Sequence, residues 1–311
     1  MRRLTRGQVL TMTTPKMHPD EIDIDTELVR RLLSSQAGQW AAQPVSPVRS
    51  HGTDNALFRI GVDKVVRLPR VAWAARLIEK EYRWLPRLPA RLPLAVPHPL
   101  MMGEPAEGYP WSWAVYGWIE GDEAAEGELA DPLEGAVTLA RFIACLHEVD
   151  PADGPRAGPG NFHRGVPLAQ RDASVREAIA ALGPAIDRRP VVEAWERALA
   201  ARGHRGAPTV LHGDLRPGNL LSRHGRLCAV IDFGCLGVGD PACDLQVAWS
   251  FFSGKARETF FSELSVDAAG WERGRGWALS VSLIALPYYR DRNPVLASIA
   301  RHTIDEVLGS R

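Results

Sequence analysis

His212-Gly-Asp-Leu-Arg-Pro-Gly-Asn219 and Ile231-Asp-Phe-Gly234 are the two stretches on which the reading of this chain turns. Two short apolar runs, Thr209-Val-Leu-His212 and Leu227-Cys-Ala-Val-Ile231, read as strands bracketing polar loops. Polar residues hung on short strands mark a site, because the strands fix the geometry and the loops present the groups. Asp214 follows the first strand, Asn219 lies five residues later, and Asp232 ends the second.

Upstream, Val45 to Val48, Ala56 to Gly61 and Lys64 to Leu68 are strand-like runs separated by Gly52-Thr-Asp-Asn55 and Val62-Asp63, which reads as an antiparallel sheet. Ala72 to Leu88 has helical periodicity, and the prolines at 86, 89 and 93 end it. A further strand pair is expected at Val96 to Met102 and Trp111 to Ile119. Beyond Gly121-Asp-Glu123 the pattern is mainly helical, at Leu133 to Val149, Arg171 to Leu182, Val191 to Ala201, Asp240 to Phe252 and on to the C-terminus. An earlier helical period begins near Ile24. Residues 1–16 read as a poorly ordered extension, with Met17 an alternative start. The lobe boundary is placed at 117–122, giving 17–117 as one lobe and 118–311 as the other.

At 311 residues the chain can bury a two-lobed core, which excludes collagenous and disulfide-framework classes. Lysine plus arginine equals aspartate plus glutamate at 37 each, so no global field calls for nucleic acid or an anionic membrane. The four cysteines form no CxxC pair and read as buried reduced thiols, and no apolar run is long enough to span a bilayer. The chain reads as cytoplasmic.

Asp214, Asn219 and Asp232 together are the inventory that phosphoryl transfer needs: one carboxylate to accept a hydroxyl proton, and a carboxylate plus an amide oxygen to hold magnesium against phosphates. The segment resembles the aminoglycoside phosphotransferase family, whose HGDxxxxN and (I/V)DF(G/W) motifs are matched by His212, Gly213, Asp214, Asn219, Asp232, Phe233 and Gly234. Asp240-Pro241 and Asp244 complete its DPxxD. The resemblance implies an α+β, two-lobed protein-kinase-like fold, with a small antiparallel-sheet N-lobe and a mostly helical C-lobe. It implies transfer of the γ-phosphoryl group of ATP or GTP to a hydroxyl of an aminoglycoside, a macrolide or a related small molecule. Asp214 is then the catalytic base, and Asn219 and Asp232 are Mg2+ ligands. His212 is expected to hold the loop by a hydrogen bond, Asp244 to cap or brace, and Asp240 either to touch the acceptor or to cap.

In the first half, Arg49-Ser-His-Gly-Thr-Asp-Asn55 is either a surface hairpin turn or a loop that lays small residues over phosphates, through Ser50, Gly52, Thr53 and Asn55. Arg67 stands where protein kinases place a lysine for the phosphates, and Glu81 on the next helix is positioned to orient it. Arginine is bidentate and bulkier, and it departs from the lysine pattern. Tyr116-Gly-Trp118 falls where the family's hinge meets the nucleotide base, the alternative being core aromatics. Glu120, Asp122, Glu123, Glu126, Glu128, Asp131 and Glu134 crowd one acidic stretch, either a solvated face or a rim that attracts a cationic acceptor.

A protein kinase would need a long segment after DFG to dock a peptide, whereas Gly239-Asp-Pro241 follows almost at once, which favours a small acceptor. Two alternatives stay open: a catalytically silent nucleotide-binding protein on the same fold, and a metabolite kinase with a choline-like or sugar-amine acceptor.

Overall fold

The computed structural model describes residues 18–89, 92–124 and 129–310; the expected N-terminal extension, Glu126 and Glu128 lie outside them. Asp25 caps α1 (Thr26–Gln36) by accepting from the Leu28 amide at 2.7 Å. Three strands follow, β1 (Val45–Pro47), β2 (Asn55–Ile60) and β3 (Lys64–Pro69). Helix α2 (Ala72–Trp84) stops short of the expected Leu88, because Pro86 has no amide to continue it and 85–87 tighten into a 3-10 turn. Strands β4 (Pro99–Gly103) and β5 (Trp113–Gly117) complete a five-stranded sheet in the order β1-β2-β3-β5-β4, antiparallel throughout.

The two faces of this sheet have different work. Val66 and Leu68 of β3 pack with Ala56, Phe58 and Ile60 of β2, Trp113 and Val115 of β5, and Leu28, Val29, Leu32 and Leu33 of α1. Because strand side chains alternate, Val65 and Arg67 emerge on the opposite face, where they line a cavity. Ile78 of α2 covers that face beside Ala114 and Tyr116 and joins the larger core of the second lobe.

The chain passes through the short strand β6 (Asp122–Glu123) into α3 (Pro132–His147), α4 (Asp172–Leu182) and α5 (Arg188–Ala200). β7 (Thr209–Leu211) pairs not with the second apolar run but with β10 (Gly237–Gly239), while β8 (Leu220–Arg223) and β9 (Arg226–Val230) form a hairpin edged by β6. The helix expected over Asp240 to Phe252 is instead a 3-10 segment, Pro241–Gln246, running into the single turn α6 (Val247–Ser250). Its Asp240 caps and its Asp244 and Gln246 reach back to the loop after β7, so tertiary hydrogen bonds set the winding. Then come α7 (Gly254–Glu263), α8 (Ala268–Tyr289) and α9 (Pro294–Gly309).

Helix α8 is the axis of the second lobe, burying Trp277, Leu279, Leu283 and Leu286. Each such side chain contributes about 1.5–3 kcal/mol by leaving water. No described helix is long and apolar enough to cross a membrane. The cysteines are unpaired; only Cys243 is buried, the other three being half-buried at the margins of the packed layers rather than within them.

Gly103 tests the packing of the sheet. A methyl group there would sit 2.0 Å from the Trp113 indole, which is fully buried and has nowhere to move. Gly103→Ala is expected to lower stability by about 1–3 kcal/mol in urea denaturation.

Candidate active site

Strand β3, helix α2 and the start of the Asp232 loop converge on one guanidinium. Arg67 Nη1 donates to both Glu81 carboxylate oxygens, at 2.7 and 2.9 Å, and Nη2 donates to Asp232 Oδ1 at 3.2 Å. Glu81 is wholly buried, and burial pushes its carboxyl up against the opposing pull of Arg67. Burial also works against the Arg67 charge, but Glu81 and Asp232 outweigh it and hold the guanidinium ionised. Both Glu81 oxygens accept, the geometry of an ion pair. A lysine has one nitrogen and could not fork in this way between two carboxylates on different elements.

Asp232 sits in the left-handed region, at φ 65° and ψ 67°, unusual for a residue with a side chain. Such a conformation persists only where the surroundings impose it. Here the Ile231 amide is fixed by the Asn219 carbonyl at 2.9 Å, and Arg67 takes the carboxylate.

The loop after β7 is braced from beneath. Asp244, fully buried, accepts from the His212 amide at 3.0 Å, the Gly213 amide at 2.8 Å and His147 Nε2 at 3.1 Å. The His212 ring faces an Ile231 carbonyl, which can only accept, so Nε2 carries the proton and donates at 3.0 Å. Nδ1 is then left to accept the Asp214 amide at 3.2 Å. His212 therefore ties the two motif loops together as a neutral ring. Gly213 has φ 83°, and a methyl there would meet the Cys235 carbonyl at 2.5 Å, so the turn into Asp214 requires glycine.

Asp214 is held from three sides. Arg164 Nη2 donates to Oδ1 and Arg216 Nε to Oδ2, each at 3.2 Å, while the Asn219 amide nitrogen donates to the Asp214 carbonyl at 2.8 Å and to Oδ2 at 3.1 Å. Burial alone would push the Asp214 carboxyl up; the Arg216 and Arg164 charges overcome it and hold the group below the usual carboxylate range. Asp240 does not reach for a ligand: it caps the Ala242 amide and pairs with Arg273 Nε at 2.8 Å.

Ser50, Gly52, Thr53, Asn55, Arg67, Tyr116, Trp118, Asp214, Asn219 and Asp232 all line one cavity of about 1040 Å³ between the lobes, and Glu81 stands behind Arg67. The cavity is at the upper end of ligand sites and has room for two small molecules side by side. Residues 50–53 are folded down rather than held over empty space: Ser50 Oγ and the His51 amide donate to Glu123 Oε1 at 3.2 and 3.4 Å, and His51 Nδ1 meets Oε2 at 2.9 Å.

At the expected hinge, the Gly117 and Trp118 amides are engaged by the carbonyls of His98 and Asp63, at 2.9 and 2.8 Å, which close the sheet edge. The Tyr116 ring is buried beneath Arg67, and the half-buried Trp118 ring, with Arg59 over it, borders the cavity. Four residues of the acidic stretch have partners within the protein. Glu120 pairs with Arg59, Glu123 holds the 50–53 loop, Asp131 caps α3 and Glu134 pairs with Arg226. No sequence signal points to Arg164 or Arg171, and Glu123 stands out only as one of an acidic stretch; Arg216 lies within the His212–Asn219 motif, two residues after Asp214.

Two lobes around a cleft, with an Arg–Glu pair on the sheet side and Asp214, Asn219 and Asp232 on the helical side, define a protein-kinase-like phosphotransferase architecture. The model of the phosphotransferase enzyme family (APH) matches residues 45–277, and the chain belongs to that family. An aminoglycoside 3'-phosphotransferase of Escherichia coli is 27% identical over 165 residues, spanning 50% of this chain and 59% of that relative. Among solved structures, the GDP and kanamycin complex of the aminoglycoside phosphotransferase APH(2'')-IIIa superposes with a TM-score of 0.70 at 20% identity, covering 90% of this chain and 97% of the other. The GDP complex of wild-type aminoglycoside 2'-phosphotransferase-IIIa gives 0.71 at 18% identity, covering 92% and 99%. At these identities the likeness speaks for the fold.

The Asp244 brace carries a stability test. Asp244→Ala leaves two buried amides without an acceptor and is expected to cost about 3 kcal/mol, read as a lowered melting temperature.

Proposed function

We propose that the chain transfers the γ-phosphoryl group of ATP or GTP to a hydroxyl of a small molecule, with 17–117 holding the nucleotide and 118–311 the acceptor. The carrying observation is Asp214 and Asn219 on one braced loop beside Asp232, which is tied through Arg67 to the sheet. Arg67 presents a permanently charged group to the phosphates, and Glu81 fixes its orientation. Ser50, Gly52, Thr53 and Asn55 would cover the phosphates once Glu123 releases the Ser50 hydroxyl and the His51 amide. The base would be met along 116–119, all of which line the cavity.

Magnesium fits the donors present. Asn219 commits its amide nitrogen to Asp214, which leaves its oxygen, and the Asp232 carboxylate is 37% exposed. Two hard oxygens completed by phosphates and water are the usual Mg2+ arrangement. When bound there, the metal neutralises phosphate charge.

Asp214 orients the acceptor hydroxyl and takes its proton as the oxygen bonds to the γ-phosphorus and the bridging oxygen leaves with the nucleoside diphosphate. A carboxylate held below its usual range is a weak base, so it accepts the proton late, when the new P–O bond has made the hydroxyl acidic. This suits the loose transition state of phosphoryl transfer. Arg216, on the same carboxylate, is placed to meet the transferring group's negative charge.

Asp214→Asn is expected to lower turnover on the order of 10²-fold or more with nucleotide binding retained, measured by ADP release and nucleotide titration. Near-normal turnover would remove Asp214 from the base role. Asp232→Ala should abolish turnover with the fold intact by circular dichroism, and excess EDTA should abolish it in the wild type. Nucleotide binding with no turnover on any hydroxylated acceptor would instead favour a silent binding protein.

A further inference from the structure

The wall of the cavity made by α8 and α9 differs in chemistry from the nucleotide side. Ala278, Val281, Ile284 and Ala285 recur at helical spacing along one face of α8, and Leu296 and Ile299 do so on α9. A helix stripe of this kind ordinarily packs against another element. Here it borders an open cavity that continues to Asp214. None of α4, α8 and α9 contributes a carboxylate to the lining.

Beside Asp214 the cationic groups outnumber the carboxylates: Arg164, Arg171 and Arg216 surround it, and the cavity's Asp54, Glu123 and Asp232 are already paired with His18, His51 and Arg67. Arg164 Nε and Nη1 are buried without a hydrogen-bond partner. Arg171 is held by Ser280 Oγ at 2.7 Å and the Phe162 carbonyl at 3.1 Å, over the Trp277 ring. Burial, with a smaller contribution from the nearby Arg164 charge, brings the Arg171 guanidinium down to about 10. At the mouth, Trp73 of α2 and Phe162 of the opposite lobe meet edge to face at 5.4 Å while remaining 38% and 43% exposed. Exposed aromatics paired across a cleft are surface that a bound apolar body would cover.

An ammonium group in this region would lose its water, would find the Asp214 carboxylate already paired with Arg164 and Arg216, and would stand among guanidinium groups. A hydrocarbon body would displace poorly held water, and oxygen acceptors near the reacting hydroxyl would meet Arg164 and Arg171. We propose that the acceptor is an alcohol with an extended apolar body, uncharged or anionic around its reacting hydroxyl, and that polycationic amino sugars are excluded. This rests on the kinase reading and narrows it.

The test uses the full chain. Melting-temperature shifts with magnesium and AMP-PNP report nucleotide binding separately, so a missing shift counts against the kinase reading alone; the acceptor arms are then read on the unloaded protein. The apolar anion 8-anilinonaphthalene-1-sulfonate is titrated by fluorescence, and kanamycin, a polycation, by calorimetry and by ADP release. The anion is expected to bind saturably, with affinity lowered about tenfold or more by Ala285→Glu and by Arg164→Glu, while Ala285→Glu keeps its response to AMP-PNP. Ile299→Glu replaces Ala285→Glu should that variant not fold. Kanamycin is expected neither to bind nor to raise ADP release. Kanamycin phosphorylation, kanamycin binding below about 1 mM, or absent or variant-independent binding of the anion (changes within about threefold) would overturn the proposal.

Discussion

One buried guanidinium sets the relation between the two lobes. Arg67 is carried by the sheet, its main partner Glu81 by α2, and its second partner Asp232 by the loop after β9. A buried charge is tolerated only where its partners are fixed, because losing one leaves several kcal/mol uncompensated. The strand alternation that buries Val66 and Leu68 also forces Arg67 into the cleft. Core packing on one face thus fixes the charge on the other, and the position of Asp232 follows from both.

The second constraint is the hydrogen-bond net beneath Asp214. Asp244 gathers two loop amides, and His212 couples that loop to Ile231 through one ring whose protonation is dictated by its partners. With Gln246 donating to the Gly213 carbonyl at 3.2 Å, little of the turn's backbone remains free to adjust. Rigid supports of this kind let a carboxylate keep its geometry without contact from a ligand.

The fold was legible in the sequence because strand alternation before residue 117 and helical periodicity after it are local signals. Asp214, Asn219 and Asp232 were legible for a related reason: their spacing lies within two short loops. What sequence reading missed arrives through topology. Arg164 reaches Asp214 across 50 residues, and Glu123 reaches Ser50 across 73, with no pattern linking them. The same holds for the acidic stretch, which looks like a free negative face until Arg59, Arg226 and the 50–53 loop are brought against it. The helix expected from Asp240 gave way because side chains facing a buried loop wind their own backbone more tightly than periodicity alone would.

Glu123 gives the unliganded cleft an internal anion. Its carboxylate occupies the Ser50 hydroxyl and His51 amide, the kind of donors that phosphates seek. Under the proposed function, nucleotide affinity would be an exchange quantity, the preference of those donors for a polyphosphate over a tethered carboxylate. A tethered competitor acts at a fixed effective concentration whatever the protein concentration. It lowers apparent affinity uniformly for every nucleotide without altering which base is chosen. It also keeps the loop ordered before any ligand arrives, so part of the ordering entropy has already been spent when the phosphates displace it.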